Sequence, residues 1–106
     1  MKVVWAPLAE KRAREAVDYI ASERPGAAAK WLDQLLERVG TLNRLAKRGR
    51  QVPEIALPNY REILHAPYRV VYRLGRTQVV ILTLRHQQRA WDPDEVTLVS
   101  KGDTSR

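Results

Sequence analysis

The spacing of apolar positions changes along the 106-residue chain. Residues 2–5, KVVW, are a short apolar run that reads as a strand, and Ala6-Pro7 punctuates it. Proline is tolerated in a first helical turn, where its missing N–H costs nothing. From Leu8 to about Glu23, Leu8, Ala9, Ala13, Ala16, Val17, Ile20 and Ala21 recur at helical spacing against a charged back. Arg24-Pro25-Gly26 breaks that stripe. The next stripe, Ala28, Trp31, Leu32, Leu35, Leu36, Val39 and Leu42, predicts a helix from about Ala27 to Ala46. The short break between the two implies an antiparallel helical hairpin.

KRGRQVPEIALPN follows and predicts a loop, because it carries a glycine and two prolines. From Tyr60 the period becomes two. Strands are expected near Tyr60–His65, Tyr68–Leu74 and Gln78–His86, joined by the short connections HAP and GRT. DPDEVTLV after Trp91 suits a short helix or an edge strand, and the pattern does not choose between them. The organisation expected is one domain over residues 1–99 and a frayed tail over 100–106. The order strand, helix, helix, then three strands predicts an α+β fold. Its sheet is small and mostly antiparallel, with the helical hairpin on one face and the other face partly open.

Alternation assigns the strand side chains to faces. Tyr68, Val70, Tyr72 and Leu74 share one face, and Arg69, Val71 and Arg73 the other. In the last strand Val80, Leu82, Leu84 and His86 oppose Val79, Ile81, Thr83 and Arg85. With the apolar sets turned to the helices, Arg69, Arg73 and Arg85 are expected to cluster on the open face. Arg61 joins them if the register across HAP allows; a one-residue slip would move it.

Charge sharpens this picture. The net charge is +7, and its location matters more than its size. Residues 1–46 hold eight Lys/Arg against six Asp/Glu, residues 47–91 nine against two, and residues 92–106 two against four. The excess therefore lies in the segment that carries the arginine-rich strands. Guanidinium groups offer forked donors suited to phosphate and carboxylate. Glu54 and Glu62, the only acids nearby, can neutralise at most two of them. The alternatives are pairing within the sheet and an external anion, either nucleic acid or an acidic peptide. Arg61, Arg69, Arg73, Arg85 and Arg89 are the candidate anion- or target-binding residues.

Other chemistry is thinly supplied. There is no cysteine, so disulfides and Cys-based metal sites are excluded. No glycine-rich phosphate loop, metal-ligand spacing or clustered carboxylates occur, and no cofactor or metal is expected. No apolar run reaches the roughly 18 residues of a membrane span. A cytoplasmic protein without membrane contact is expected. LRHQQRAWD leaves one catalytic possibility. His86 beside arginines could exchange a proton with a phosphodiester, while the arginines stabilise the charged transition state. A strand-end histidine that only closes a hydrogen bond is the plainer alternative. His65, expected in a loop, is weaker still.

GRQVPEIALPNYREILHAPYRVVYRLGRTQVVILTLRHQQR, from Gly49 to Arg89, resembles the core of the RelE/ParE superfamily of bacterial toxins. The shared pattern is G-R-x-V-P-E, then R-E-I, then Y-R-V-V-Y-R, then an apolar strand ending in H-x-x-R. VVWAPLAEKRAREAVDYIA and PGAAAKWLDQL resemble its first strand and helical hairpin, so the likeness spans about residues 2–91. It implies the toxin of a type II toxin–antitoxin pair, on the fold already expected. It also implies a hetero-oligomer with an antitoxin whose acidic segment wraps the toxin. On the helical hairpin that segment would meet Val17, Ile20, Trp31 and Leu35. The superfamily divides by target. RelE-like members cut mRNA on the ribosome, for which Arg69, Arg73, Arg85 and His86 would be the catalytic set. ParE-like members poison DNA gyrase and are not known as nucleases. This chain has no tyrosine after Tyr72 and lacks the paired lysines of some nucleases, so the resemblance leans to the gyrase branch.

Overall fold

The computed structural model describes residues 1–88. Arg89, Trp91, DPDEVTLV and the tail lie outside the described residues. Strand β1 (Lys2–Trp5) leads into helix α1 (Pro7–Glu23), and α2 (Ala28–Gly40) runs on into a 3-10 turn, Thr41–Asn43. Strands β2 (Arg50–Gln51), β3 (Tyr60–His65), β4 (Tyr68–Leu74) and β5 (Gln78–His86) complete one sheet. Its strand order is β1-β5-β4-β3-β2, with β1 parallel to β5 and every other pair antiparallel. The expected α+β architecture is therefore present, and β3, β4 and β5 have the bounds read from their alternation. The two-residue β2 lies inside the segment expected to be a loop. It is too short to show a period.

Both helices cover one face of the sheet. α1 buries Ala9, Ala13, Ala16 and Ile20, a stripe of mostly small side chains that lets its backbone come close to β5. α2 buries Ala28, Leu35 and Val39. Ala9, Ala13, Leu35 and Val39 close over Ile63, Val70, Tyr72, Val79, Ile81 and Leu84, with Val3, Trp5, Tyr68 and Leu74 at the margin. α2 stops at Gly40 instead of reaching Ala46. Glycine is a poor helix former, and Thr41 Oγ1 donates to the Arg38 carbonyl at 2.7 Å. The tighter turn that follows carries Leu42 into the core with no exposed surface.

The two faces of β5 are not simple alternates. Val71 pairs with Thr83 but Tyr72 pairs with Ile81, so Leu82 is an extra residue in the ladder, a β-bulge. Before the bulge Val79 and Ile81 face the helices; after it Leu84 and His86 do. The expected set Val80, Leu82, Leu84, His86 is thus split, because one extra residue reverses the alternation. Val80 and Leu82 instead pack on the far face with Ala6, Val52, Tyr60, Val71 and Ile55. That face is partly open, as expected, and the loop after β2 covers the part around Val71 and Val80. Ile55 and Ala56 both donate their N–H to the Val52 carbonyl, at 3.1 and 2.8 Å. The turn closes with Ala56 at φ 58°, a left-handed conformation that costs an alanine about 1 kcal/mol.

The segment after α2 is sewn to the sheet by Tyr72. Its buried hydroxyl donates to the Ala46 carbonyl at 2.6 Å and accepts the Gly49 N–H at 3.0 Å. A side chain on Gly49 would lie 2.6 Å from both that hydroxyl and the Glu62 carbonyl oxygen, so only glycine allows the approach. We predict that Tyr72→Phe costs about 1–3 kcal/mol by leaving two backbone groups unsatisfied. Gly49→Ala should destabilise as well, since neither the strand nor the buried ring can move aside. Urea unfolding of the two variants checks both, and a midpoint unchanged in either would contradict this packing.

Candidate functional site

Register across HAP decides where the arginines go. Leu64 pairs with Arg69, Glu62 with Val71 and Tyr60 with Arg73, so Glu62 and Leu64 share the far face with Arg69. Arg61 lies on the helix face instead, opposite Tyr72. Its Nη1 donates to the Gly49 carbonyl at 2.9 Å and reaches that of Lys47 at 3.4 Å. The structure thus removes Arg61 from the expected cluster: its guanidinium holds the loop before β2.

Arg69 is locked into a chain of ion pairs. Its guanidinium meets Glu54 through two parallel bonds of 3.0 and 2.7 Å. Its Nε donates to Glu62 Oε1 at 2.7 Å. The other oxygen of Glu62 accepts from Arg50 at 2.6 Å. Glu62 is 4% exposed and Arg50 68%, so the chain runs from solvent into the sheet and back out. Arg50, Glu62, Arg69 and Glu54 alternate in sign and sum to zero. Hydrogen bonding to Glu54 raises the Arg69 pKa above arginine's ordinary value; burial opposes this, and Glu62 adds to the rise. Of the two alternatives for this arginine, pairing within the sheet is the one observed. The four residues, with Ile63, exposed Leu64 and Gln87, line a depression of about 480 Å³.

Arg73 and Arg85 do not extend this group into a cluster. Arg73 lies on the same face but four residues further along β4, roughly 13 Å away, beyond the apolar patch around Val71. It is half-buried, and its Nε has no hydrogen-bond acceptor. Arg85 is opposite Arg69 by register, yet it lines a different depression, with His86 and with Arg12, Glu15 and Tyr19 of α1. His86 sits on the helix side of the bulge, its ring edge-on to Tyr68 and Tyr19 at 5.3 and 6.0 Å between centroids. Its Nδ1 accepts the Gln88 N–H at 3.2 Å, which is the strand-end hydrogen bond of the plainer reading. His86 and Arg69 therefore occupy opposite faces of the sheet, and the expected catalytic set is divided: Arg85 and His86 share one depression, while Arg69 and Arg73 stand apart from it.

The helical hairpin divides the other candidates. Leu35 has no exposed surface and Ile20 is buried, so both serve the core rather than an outward face. At helical spacing, a core stripe and a docking stripe look alike. Val17 and Trp31 are half-buried. Trp31 Nε1 donates to the Ala66 carbonyl at 2.9 Å, and its ring packs on His65 and Tyr68. His65 closes β3 as a buried side chain, not a loop residue, with Nε2 3.2 Å from the Trp31 carbonyl. Burial lowers its pKa, the hydrogen bond to Trp31 opposes this, and the charge of Arg38 lowers it further. Arg50 and Glu62 are not among the sequence's binding candidates; Arg50 stands directly opposite Glu62, and Arg69 lies diagonal to it across the β3–β4 hairpin, pairs that are readable only once the register is known.

Two outcomes follow. Glu62→Gln should cost about 1–3 kcal/mol, because the amide sets an N–H donor where a buried carboxylate oxygen now accepts from a guanidinium. Arg50→Gln, at the solvent end, should cost under about 1 kcal/mol; equal losses in urea unfolding would refute the ordering. His65 has a folded pKa below its unfolded value near 6.5. Its contribution is fully present above about pH 6.5 and is lost as the pH falls through the folded value. Stability measured from pH 7.5 down to 5 should therefore fall less steeply in His65→Gln than in the unaltered chain.

Comparison with known proteins places this geometry. Residues 3–91 match the family described as ParE toxin of type II toxin-antitoxin system, parDE. No curated protein matches the chain. A solved structure described as "Chromosomal ParDE TA system from P. aeruginosa" superposes with a TM-score of 0.68 at 22% identity, covering 81% of this chain and 95% of that one. At that identity the superposition speaks for the fold alone, and it agrees with the architecture above. The match of residues 3–91 carries the assignment: the chain belongs to the ParE toxin family of type II toxin–antitoxin systems.

Proposed function

We propose that this toxin inhibits growth by binding and poisoning DNA gyrase, without cutting RNA, and that a cognate antitoxin neutralises it in the cytoplasm. The observation that carries this reading is the separation of Arg69 from His86. Cleavage of a phosphodiester needs a proton-transfer group within hydrogen-bond reach of the scissile oxygens and a cation on the same side to meet the developing charge. Here Arg69 lies across the sheet from the histidine and is already held by two carboxylates, and the arginines that share the histidine's depression, Arg85 and Arg12, stand there beside Glu15 without Arg69 or Arg73. A surface that binds has no such requirement. The family membership supports the antitoxin as partner. The half-buried Val17 and Trp31 and the exposed Tyr19 leave it some apolar surface on the helical hairpin.

Induced expression without antitoxin should produce a DNA-damage response and filamentous cells. The purified chain should stabilise gyrase–DNA breaks and block supercoiling. His86→Ala should keep both effects. Codon-register cuts in mRNA with gyrase untouched would replace this reading with ribosome-dependent cleavage. Normal growth would leave a chain that only binds its antitoxin.

A further inference from the structure

Among the described residues, one end of the molecule gathers exposed cations, and Glu37, which shares a depression with Arg48, borders it. Three segments distant in sequence meet there. The Met1 amine donates to the Asn43 carbonyl at 2.7 Å, and the Lys2 N–H to that of Thr77 at 3.3 Å. These bonds tie the start of β1 both to the turn after α2 and to the β4–β5 turn. Lys2, Arg44, Lys47, Arg48 and Arg76 are all exposed in these segments. Residues 1–9, 38–53 and 63–88 contain no Asp or Glu. Among the described residues no carboxylate pairs with any of the five cations; Arg48 donates to Thr41 Oγ1 instead. Arg44, Lys47 and Arg48 border a shallow depression whose other lining residues, Met1, Leu45, Ala46, Leu74 and Gly75, are apolar. Leu45, 50% exposed, stands between the cations.

We propose that this end binds the phosphate backbone of duplex DNA, without sequence preference, through Lys2, Arg44, Lys47, Arg48 and Arg76. Glu37 stands near Arg48 alone; Lys2, Arg44, Lys47 and Arg76 have no carboxylate partner among the described residues, and a polyanion relieves the repulsion between such like charges while releasing its own counterions. A duplex presents a charge about every 1.7 Å along its axis, dense enough to meet all five cations together. An acidic peptide would have to bring five carboxylates into register and satisfy its own main chain on an open surface. The side chains lining the depression are apolar apart from the bordering cations, which suits deoxyribose better than the 2′-hydroxyl of RNA. The choice of DNA rests in addition on the gyrase reading, since gyrase holds a duplex. The surface and that reading can nevertheless fail separately.

The test uses the whole chain and a fluorescent duplex of about 20 base pairs, without gyrase, followed by anisotropy across about 50–200 mM salt. The slope of log K against log salt should be about −4 to −5 for five phosphate contacts. The variant R44Q/K47Q/R76Q should bind at least about ten-fold more weakly, with a slope shallower by about 2.7. The control R14Q/R24Q/K30Q makes the same change in net charge elsewhere and should bind as the unaltered chain does. Arg44→Gln and Lys47→Gln, taken singly, should each make the slope shallower by about 0.9 and guard against a folding loss in the triple variant. Equal weakening by both triples would overturn the proposal in favour of net charge alone. Tighter binding of duplex RNA, or of polyglutamate, would overturn it in favour of that partner. Gyrase inhibition retained without DNA binding overturns the surface but not the gyrase reading. DNA binding at this end without gyrase inhibition supports the surface and removes that reading.

Discussion

The carboxylate of Glu62 is the point on which the far side of the sheet depends. It is almost fully buried, and a buried carboxylate is costly unless both oxygens are satisfied. Arg50 takes one oxygen and Arg69 the other, so one side chain ties β2, β3 and β4 together. Arg69 in turn holds Glu54, which anchors the loop carrying Val52 and Ile55 across Val71 and Val80. Without this link β2 would be held at the edge by its own short ladder and by the bonds of Tyr72 and Arg61 to the segment before it, with nothing to fix the loop that follows. The small second core would lose its cover.

The same ion pairs set what the surface offers a partner. Arginines read as a cationic face are spent within the molecule or separated from each other. The neutral chain Arg50–Glu62–Arg69–Glu54 is poorly suited to attract an anion from solution. The excess of positive charge is expressed instead at the end built from β1, the turn after α2 and the β4–β5 turn, where no carboxylate pairs with a cation among the described residues. A net charge of +7 therefore describes two different surfaces, one internally compensated and one not.

Most of the fold was legible because its signals are local. The alternation of YREILH, YRVVYRL and QVVILTLRH gave three strands at their observed bounds, and the stripes of α1 and α2 gave the hairpin. What escaped depends on counting across the sheet. The face of Arg61 is set by the register through HAP, and the split of β5 by the single extra residue at Leu82. Neither leaves a mark in composition or period. Leu35 and Ile20 show the converse limit: an apolar stripe tells which side of a helix is buried, but not whether the chain itself or a partner buries it. The second core escaped because its cover is a proline-containing loop, and loops carry no period.

The parallel pairing of β1 with β5 has a consequence for the order of events at synthesis. Lys2 must find Gln78, 76 positions later, and Trp5 must find Ile81. At about 5–20 residues per second the first strand waits several seconds for its neighbour, plus the time β5 needs to clear the ribosome. During that interval α1 and α2 can form, but the sheet they cover is incomplete, with its first strand unpaired. The final fold is thus unavailable until nearly all of the described chain has emerged. A chain built this way completes its sheet only once β5 has emerged, and any surface that depends on the whole sheet exists only from that moment.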